Sequence, residues 1–222
     1  MRHIRRNERG QLTIGGHIAV DLAERFGTPL YVYSGDGLVA HYAAFASAVS
    51  QLDCVVHYAV KANSSLGVLG LLAQQGAGAD IVSGGEMKRA LIAGIAPDKI
   101  VFSGVGKTDD EIRAALQAGI AQINAESATE LRHISQIAAE TERQAPVALR
   151  VNVNVDPGSH AKISTGQRST KFGIPVADGE AAMLYRQLCS DPNLIPRGLA
   201  VHIGSQLRKL DPFERAYQEL LA

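Results

Sequence analysis

The chain has no tryptophan and only two cysteines, and aromatic residues make up 5% of its 222 positions. Each shortage excludes something. Cys54 and Cys189 are too few for a disulfide framework and share no metal-type spacing, so they read as small core residues of a protein in a reducing cytoplasm. Net charge is missing too: 22 Lys and Arg balance 22 Asp and Glu, which is not the electrostatic footprint of a nucleic-acid binder. The basic start (Arg2, Arg5, Arg6, Arg9) is short, is interrupted by Glu8 and reads as a solvated tail. No run approaches the ~18 continuous apolar residues of a membrane span, and the first residues lack the apolar core of a signal peptide. A dinucleotide fingerprint is also lacking, because Gly76-Ala77-Gly78 precedes an apolar run instead of following one.

What is present is a globular composition, with 46% hydrophobic and 20% charged residues. Abundant Ala and Gly suit helices packed closely on a sheet. Residues 1–35 read as irregular structure with short strands. Leu30-Tyr31-Val32-Tyr33, after the turn signal Gly27-Thr28-Pro29, is the clearest strand among them. Residues 38–51 have a helical pattern. Apolar, β-branched runs then recur at 55–60, 79–82, 100–102, 120–123, 147–153 and 199–203, separated by helix-length segments. That beat predicts βα units and a parallel sheet. Thr108-Asp109-Asp110-Glu111 and Ser127-Ala128-Thr129-Glu130 are capping-box patterns, and Asp211-Pro212 predicts a capping Asp before Pro at the first helical position. A regular beat with polar strand ends favours a (β/α)8 barrel over an open doubly wound sheet. Only six strands are legible where a barrel needs eight, and the chain stops soon after a helix start at Pro212. The expectation is therefore an α/β, TIM-type barrel truncated after about six βα strands.

Barrel active sites form at the C-terminal ends of the strands. Here those ends carry Lys61-Ala62-Asn63, then Asp80 and Ser83-Gly84-Gly85-Glu86, then Ser103-Gly104-Val105-Gly106-Lys107. Asn124 with Glu126-Ser127 follows, then Arg150 and Asn152, then His202-Ile203-Gly204-Ser205-Gln206. Lys61 fits two readings. It is either a strand-end lysine reaching water or an amine that burial deprotonates for imine chemistry. His202, between Val201 and Ile203, fits a hydrogen-bonded core histidine or a site residue. Gly204-Ser205 fits a plain turn or an anion seat. Asp80, inside an apolar strand, either faces solvent at an edge or needs a Lys or His partner. Arg150 either makes a structural ion pair with Asp80 or Glu126, or binds an anion. The polar stretch 156–173 is long enough for a binding loop or lid, with disorder as the alternative.

These stretches also carry a resemblance. GTPLYVYS (27–34), YAVKAN (58–63), GADIVSGGE (78–86), IVFSGVGKTDDE (100–111), INAES (123–127), ALRVN (148–152), ISTG (163–166), KFGI (171–174) and HIGSQ (202–206) occur in family order. Together they resemble the diaminopimelate decarboxylases, which belong to the alanine-racemase-like, barrel-type enzymes that use pyridoxal 5'-phosphate. The resemblance implies that Lys61 holds the cofactor's aldehyde carbon, that His202 stacks on its ring, and that Gly204 and Ser205 help hold its phosphate. Asp80 and Arg150 would form the polar shell around them, and Thr165, Gly166 and Lys171 would lie on a loop near the substrate. It further implies decarboxylation of meso-2,6-diaminopimelate to L-lysine and CO2 by a cytoplasmic homodimer, with no nucleic acid, membrane or metal involved. Residues 1–35 would pack with a C-terminal β-domain, and 36–222 would form the incomplete barrel. The last strands, the main phosphate loop, the acidic partner of the pyridine nitrogen and the β-domain lie outside this sequence. The isolated chain is accordingly expected to be inactive. Where the family usually reads Arg-Val-Asn-Pro-Asp, this chain reads Arg150-Val151-Asn152-Val153-Asn154, which is expected to loosen the loop entry. A related basic amino-acid decarboxylase of the same fold and a non-catalytic, truncated paralogue are the alternatives.

Overall fold

A computed structural model describes residues 3–153, 155, 172–177, 179–205 and 207–221. Its N-terminal part is a small antiparallel sheet of β1 (Ile4–Arg6), β2 (Leu12–Ile14) and β3 (His17–Ile18), followed by helices α1 (Ala19–Phe26) and α2 (Gly35–Ala48). The chain then alternates. Strand β4 (His57–Ala59) leads to α3 (Leu66–Gln74), β5 (Gly78–Ile81) to α4 (Gly84–Ile92), and β6 (Ile100–Phe102) to α5 (Asp109–Ala118). Strand β7 (Gln122–Ala125) leads to α6 (Ala128–Glu140), after which β8 (Ala145–Asn152) precedes a two-residue strand, β9 (Ile174–Pro175). Helix α7 (Glu180–Ser190), β10 (Leu194–Ala200) and α8 (Asp211–Leu221) complete the described chain.

The main sheet runs β10-β8-β7-β6-β5-β4, all parallel, with β9 pairing in parallel on the far end of β8. Apart from β9, sequence order and spatial order coincide, as they do along the wall of a (β/α)8 barrel. The core lies between this sheet and its helices. Ile81, Ile100, Phe102, Ile123 and Leu149 from the strands meet Leu69, Ile112, Ile134, Ile137, Leu184 and Leu188 from the helices, all fully buried. Small residues such as Ala79, Ala90, Ala115 and Ala138, equally buried, allow the helices to sit close.

Local signals explain where elements begin, and where the reading of them shifts. At α5 the capping box is complete: the Thr108 hydroxyl accepts the Glu111 amide, and the Glu111 carboxylate accepts the Thr108 amide at 3.0 Å. At α6 only half of it forms. Ser127 Oγ accepts the Glu130 amide, but the Glu130 carboxylate takes the Glu126 amide at 2.7 Å. At α8 the expected Asp211 cap is replaced by the carbonyl of Leu210, which accepts the Phe213 and Glu214 amides, so Asp211 is already helical.

Two expected strands change. The segment 30–33 is not a strand; it lacks a ladder partner among the described residues, and Tyr31 is 86% exposed. Ser34 at its end caps α2 by accepting the Gly37 amide. The sixth strand lies earlier than 199–203. Pro196, which has no amide to donate, sits inside it beside a register shift between Pro196 and Gly198, and such a proline disguises a strand in sequence. His202 therefore follows the strand instead of lying on it. On the stretch after β8, Val153 and Val155 are both buried in the core, and 154 and 156–171 lie outside the described residues. Among the described residues no helix is long and apolar enough to cross a membrane, and no cluster of metal-ligating side chains occurs.

Candidate active site

The carboxyl ends of β4 through β10 surround one cavity of about 560 Å3. Register explains the convergence. Ala59 pairs with Asp80 across β4 and β5, and Arg150 pairs with Ala200 across β8 and β10; all four line the cavity. Lys61 lies on a single 3-10 turn, Val60–Ala62, directly after β4. Val60, wholly buried, anchors that turn in the core, which leaves Lys61 on the cavity wall. His202 and Ser205 come from the segment after β10, and Val82, Phe172 and Val201 add apolar wall.

The polar wall is wired in one direction. The Gln122 side-chain amide donates to Asn124 Oδ1 at 2.7 Å, Asn124 Nδ2 donates to Ser103 Oγ at 3.0 Å, and the Ser103 hydroxyl donates to Asp80 Oδ1. Amide nitrogens can only donate, so the Ser103 hydrogen is left for Asp80. Asp80 thus meets the expectation of a partner, although the partner is a hydroxyl on the next strand end. Burial lowers the proton affinity of His202, and the Lys61 and Arg150 charges lower it further against an opposing pull from Asp80. Its imidazole is therefore neutral near pH 7, with a flat aromatic face.

Arg150 makes the ion pair with Glu126 and also borders the cavity. Its Nη1 donates to both oxygens of Glu126 at 2.9 Å. The Phe172 ring centroid lies 5.1 Å from its Cζ. Gly204 does not border this cavity; with His202, Phe213 and Tyr217 it lines a smaller one of about 90 Å3. Lys107, at the third strand end, is buried away from the cavity. Its Nζ donates to the Gly104 carbonyl at 2.6 Å, the Asn124 carbonyl at 2.8 Å and Glu130 Oε1 at 2.9 Å. Thr165, Gly166 and Lys171 lie outside the described residues. Sequence reasoning passed over Phe172 and Val82 as wall residues. Phe172 stands inside the quoted KFGI stretch, so the signal was there but was assigned to its charged neighbour.

The donor set fits a ring-bearing aldehyde with an anionic arm. A primary amine, a neutral imidazole face, a guanidinium and a hydroxyl converge on a cavity of small-molecule size, and Ala59, Val82, Ala200 and Val201 offer apolar surface for a ring.

Comparisons with known proteins agree. Residues 36–222 match the family model described as pyridoxal-dependent decarboxylase, pyridoxal binding domain. A diaminopimelate decarboxylase from Pseudomonas fluorescens is 51% identical over 96% of this chain, which covers 51% of that protein. A crystal structure of diaminopimelate decarboxylase from Helicobacter pylori complexed with L-lysine superposes with a TM-score of 0.87 at 40% identity, over 90% of this chain and 50% of that one. One from M. jannaschii, also with L-lysine, gives 0.91 at 38% identity, over 98% of this chain and 51% of that one. The chain thus spans about half the length of the relatives it matches. The lysine-bearing turn after β4, the cavity it lines and the family match agree, and the chain belongs to the pyridoxal-dependent decarboxylases, with residues 36–222 corresponding to their pyridoxal-binding domain.

Proposed function

We propose that this chain supplies the pyridoxal phosphate-binding barrel of a diaminopimelate decarboxylase, which converts meso-2,6-diaminopimelate to L-lysine and CO2. The observation that carries the reading is the placement of the Lys61 amine on the wall of the one cavity that also holds His202, Arg150, Asp80 and Ser205. When bound, pyridoxal phosphate supplies the electron sink that the loss of a carboxylate requires, which is the cofactor's own chemistry.

The protein's part is orientation and electrostatics. Lys61 holds the aldehyde carbon. The neutral His202 ring offers its face to the pyridine. Arg150 and Ser205 provide donors for anionic oxygens, and Asp80, held by Ser103, presents an acceptor to an incoming amine. The curated relatives of about half identity and the relatives solved with L-lysine support diaminopimelate as the substrate. Lower similarity, 26% with a TM-score of 0.78, links the chain to a lysine decarboxylase from Selenomonas ruminantium. We also propose a cytoplasmic homodimer in which residues 1–35 pack with a β-domain; the exposed Tyr31 and Tyr33 support a partner on that segment.

The test is direct. Pyridoxal phosphate added to the protein produces a visible absorption band on reaction with the lysine, and Lys61→Ala abolishes it. A band that survives Lys61→Ala overturns the assignment. In the full-length protein, CO2 release from meso-2,6-diaminopimelate exceeds that from L-lysine, ornithine or arginine. The reverse ranking would move the chain to the basic amino-acid decarboxylases.

A further inference from the structure

Arg150 is a long cation on β8 that borders the cavity, and a carboxylate from the neighbouring strand end holds its guanidinium. Glu126 follows β7 with its side chain only 2% exposed, and both its oxygens accept from Arg150 Nη1. Glu126 Oε1 also accepts the Gly104 amide at 2.9 Å, from the loop after β6. The backbone of Glu126 is held as well, since its amide donates to Glu130 Oε2 at 2.7 Å while Glu130 Oε1 takes Lys107. Lys107 in turn grips the Gly104 carbonyl. The Glu126 carboxylate is therefore tied at its head and its root to the ends of β6 and β7, and it hands that reference frame to a side chain on β8.

A buried ion pair is weak evidence of a stabilising role, because it is often no better than an apolar replacement of the same volume. This one is built at the edge of the site, beside Phe172, and Glu126 engages Arg150 through Nη1. We propose that Glu126 is a positioning residue for the cofactor site: it aims the Arg150 guanidinium at the cavity wall, and through Arg150 it sets the affinity for the anionic cofactor. The cofactor half of this inference rests on the pyridoxal phosphate reading above; the aiming of Arg150 does not.

Glu126→Gln tests it in the full-length protein. Glutamine keeps an oxygen where Oε1 accepts from both Gly104 and Arg150, but loses the charge and the second acceptor. In the cofactor-free protein, nitrogen–proton NMR of the Arg150 Nε group, assigned with Arg150→Met, is expected to lose the shift and sharpness of a fixed guanidinium. Pyridoxal phosphate affinity is expected to fall about tenfold, the scale of a hydrogen bond to a charged group. In an Arg150→Met background the same Glu126→Gln change is expected to alter affinity less than about twofold, because the route through Arg150 is gone. An unchanged Arg150 signal overturns the aiming. A tenfold fall that persists in Arg150→Met overturns the claim that Glu126 acts through Arg150, as does a melting-temperature drop with no change in affinity. If no variant or parent binds the cofactor, the reading of the site fails and the Arg150 signal still decides the aiming.

Discussion

Lys107→Met is the sharpest test of how the mouth of the barrel is held. The Lys107 side chain is 1% exposed and its ammonium meets three acceptors: the carbonyls of Gly104 and Asn124, and Glu130 Oε1. Methionine fills most of the same volume, so little cavity cost arises. What is lost is the partner of three oxygens, one of them ionised and only 14% exposed. Breaking one side of a buried pair costs about 3–5 kcal/mol. For a chain of this size that corresponds to a fall in melting temperature of about 6–20 °C, at roughly 2–4 °C per kcal/mol. The cost is local in origin, because Gly104 also holds Glu126 through its amide. Calorimetry at pH 7 reads the parent, Lys107→Met, Glu130→Gln and the double variant. The double variant is expected to melt above the sum of the two single effects, with a coupling of about 1–3 kcal/mol, since removing the stranded carboxylate relieves most of the damage. A Lys107→Met protein that melts within about 2 °C of the parent, below the shift that even 1 kcal/mol implies, would refute the reasoning.

Gly78→Ala places a Cβ 2.5 Å from the Lys99 carbonyl and 2.5 Å from the His57 ring. Overpacking of this kind costs about 1–3 kcal/mol, read as a lowered thermal midpoint, and adding His57→Ala leaves part of the loss because the Lys99 contact is backbone. Burial lowers the proton affinity of His202 and, as the largest cause, that of His57. The folded state therefore binds fewer protons than the unfolded state just below the ordinary histidine value of 6.5, and stability is lost as pH falls from there through the lowered values. Urea midpoints at pH 7 and pH 5 are expected to differ less in His202→Gln than in the parent, and an equal difference would remove His202 from the account.

The cavity-lining residues were legible as polar interruptions: Lys61 follows an apolar run, while Asp80, Arg150 and His202 each stand inside one near its carboxyl end. The same logic misplaced Lys107. Sequence places it at a strand end like the others, and only the fold shows that Gly104, Asn124 and Glu130 turn it inward. Charge alone could not separate Lys61 from Lys107, because the difference is which acceptors surround each amine. The sixth strand was blurred by Pro196, and 30–33 was overread, because its β-branched and aromatic residues describe a preference and not a partner. Glu126 was visible as a candidate for Arg150, but its second bond, to Gly104, depends on a neighbour 22 positions away.

One device recurs along the mouth of the sheet and explains how a wall made of loops is kept in place. Glu86 accepts the Val82 amide at 2.8 Å, Glu111 the Gly84 amide at 2.7 Å, Glu126 the Gly104 amide and Glu130 the Glu126 amide. Each glutamate, in or before a helix, reaches back to a backbone donor in a βα loop that would otherwise need water. Two of them, Glu111 and Glu126, reach the preceding loop and so tie neighbouring units together. The Gly84 and Thr108 amides lower the proton affinity of Glu111. Carboxylates in this role are acceptors only, so they fix the loops without offering protons to the cavity. Among the described residues on the cavity wall, the side chains that bear protons are Lys61, His202, Arg150, the hydroxyls of Ser103 and Ser205 and the Asn124 amide, and the acidic one is Asp80. The carboxylates that build the wall are thus spent on backbone donors, and among the described residues that line the cavity the carboxylate is Asp80, which accepts from the Ser103 hydroxyl.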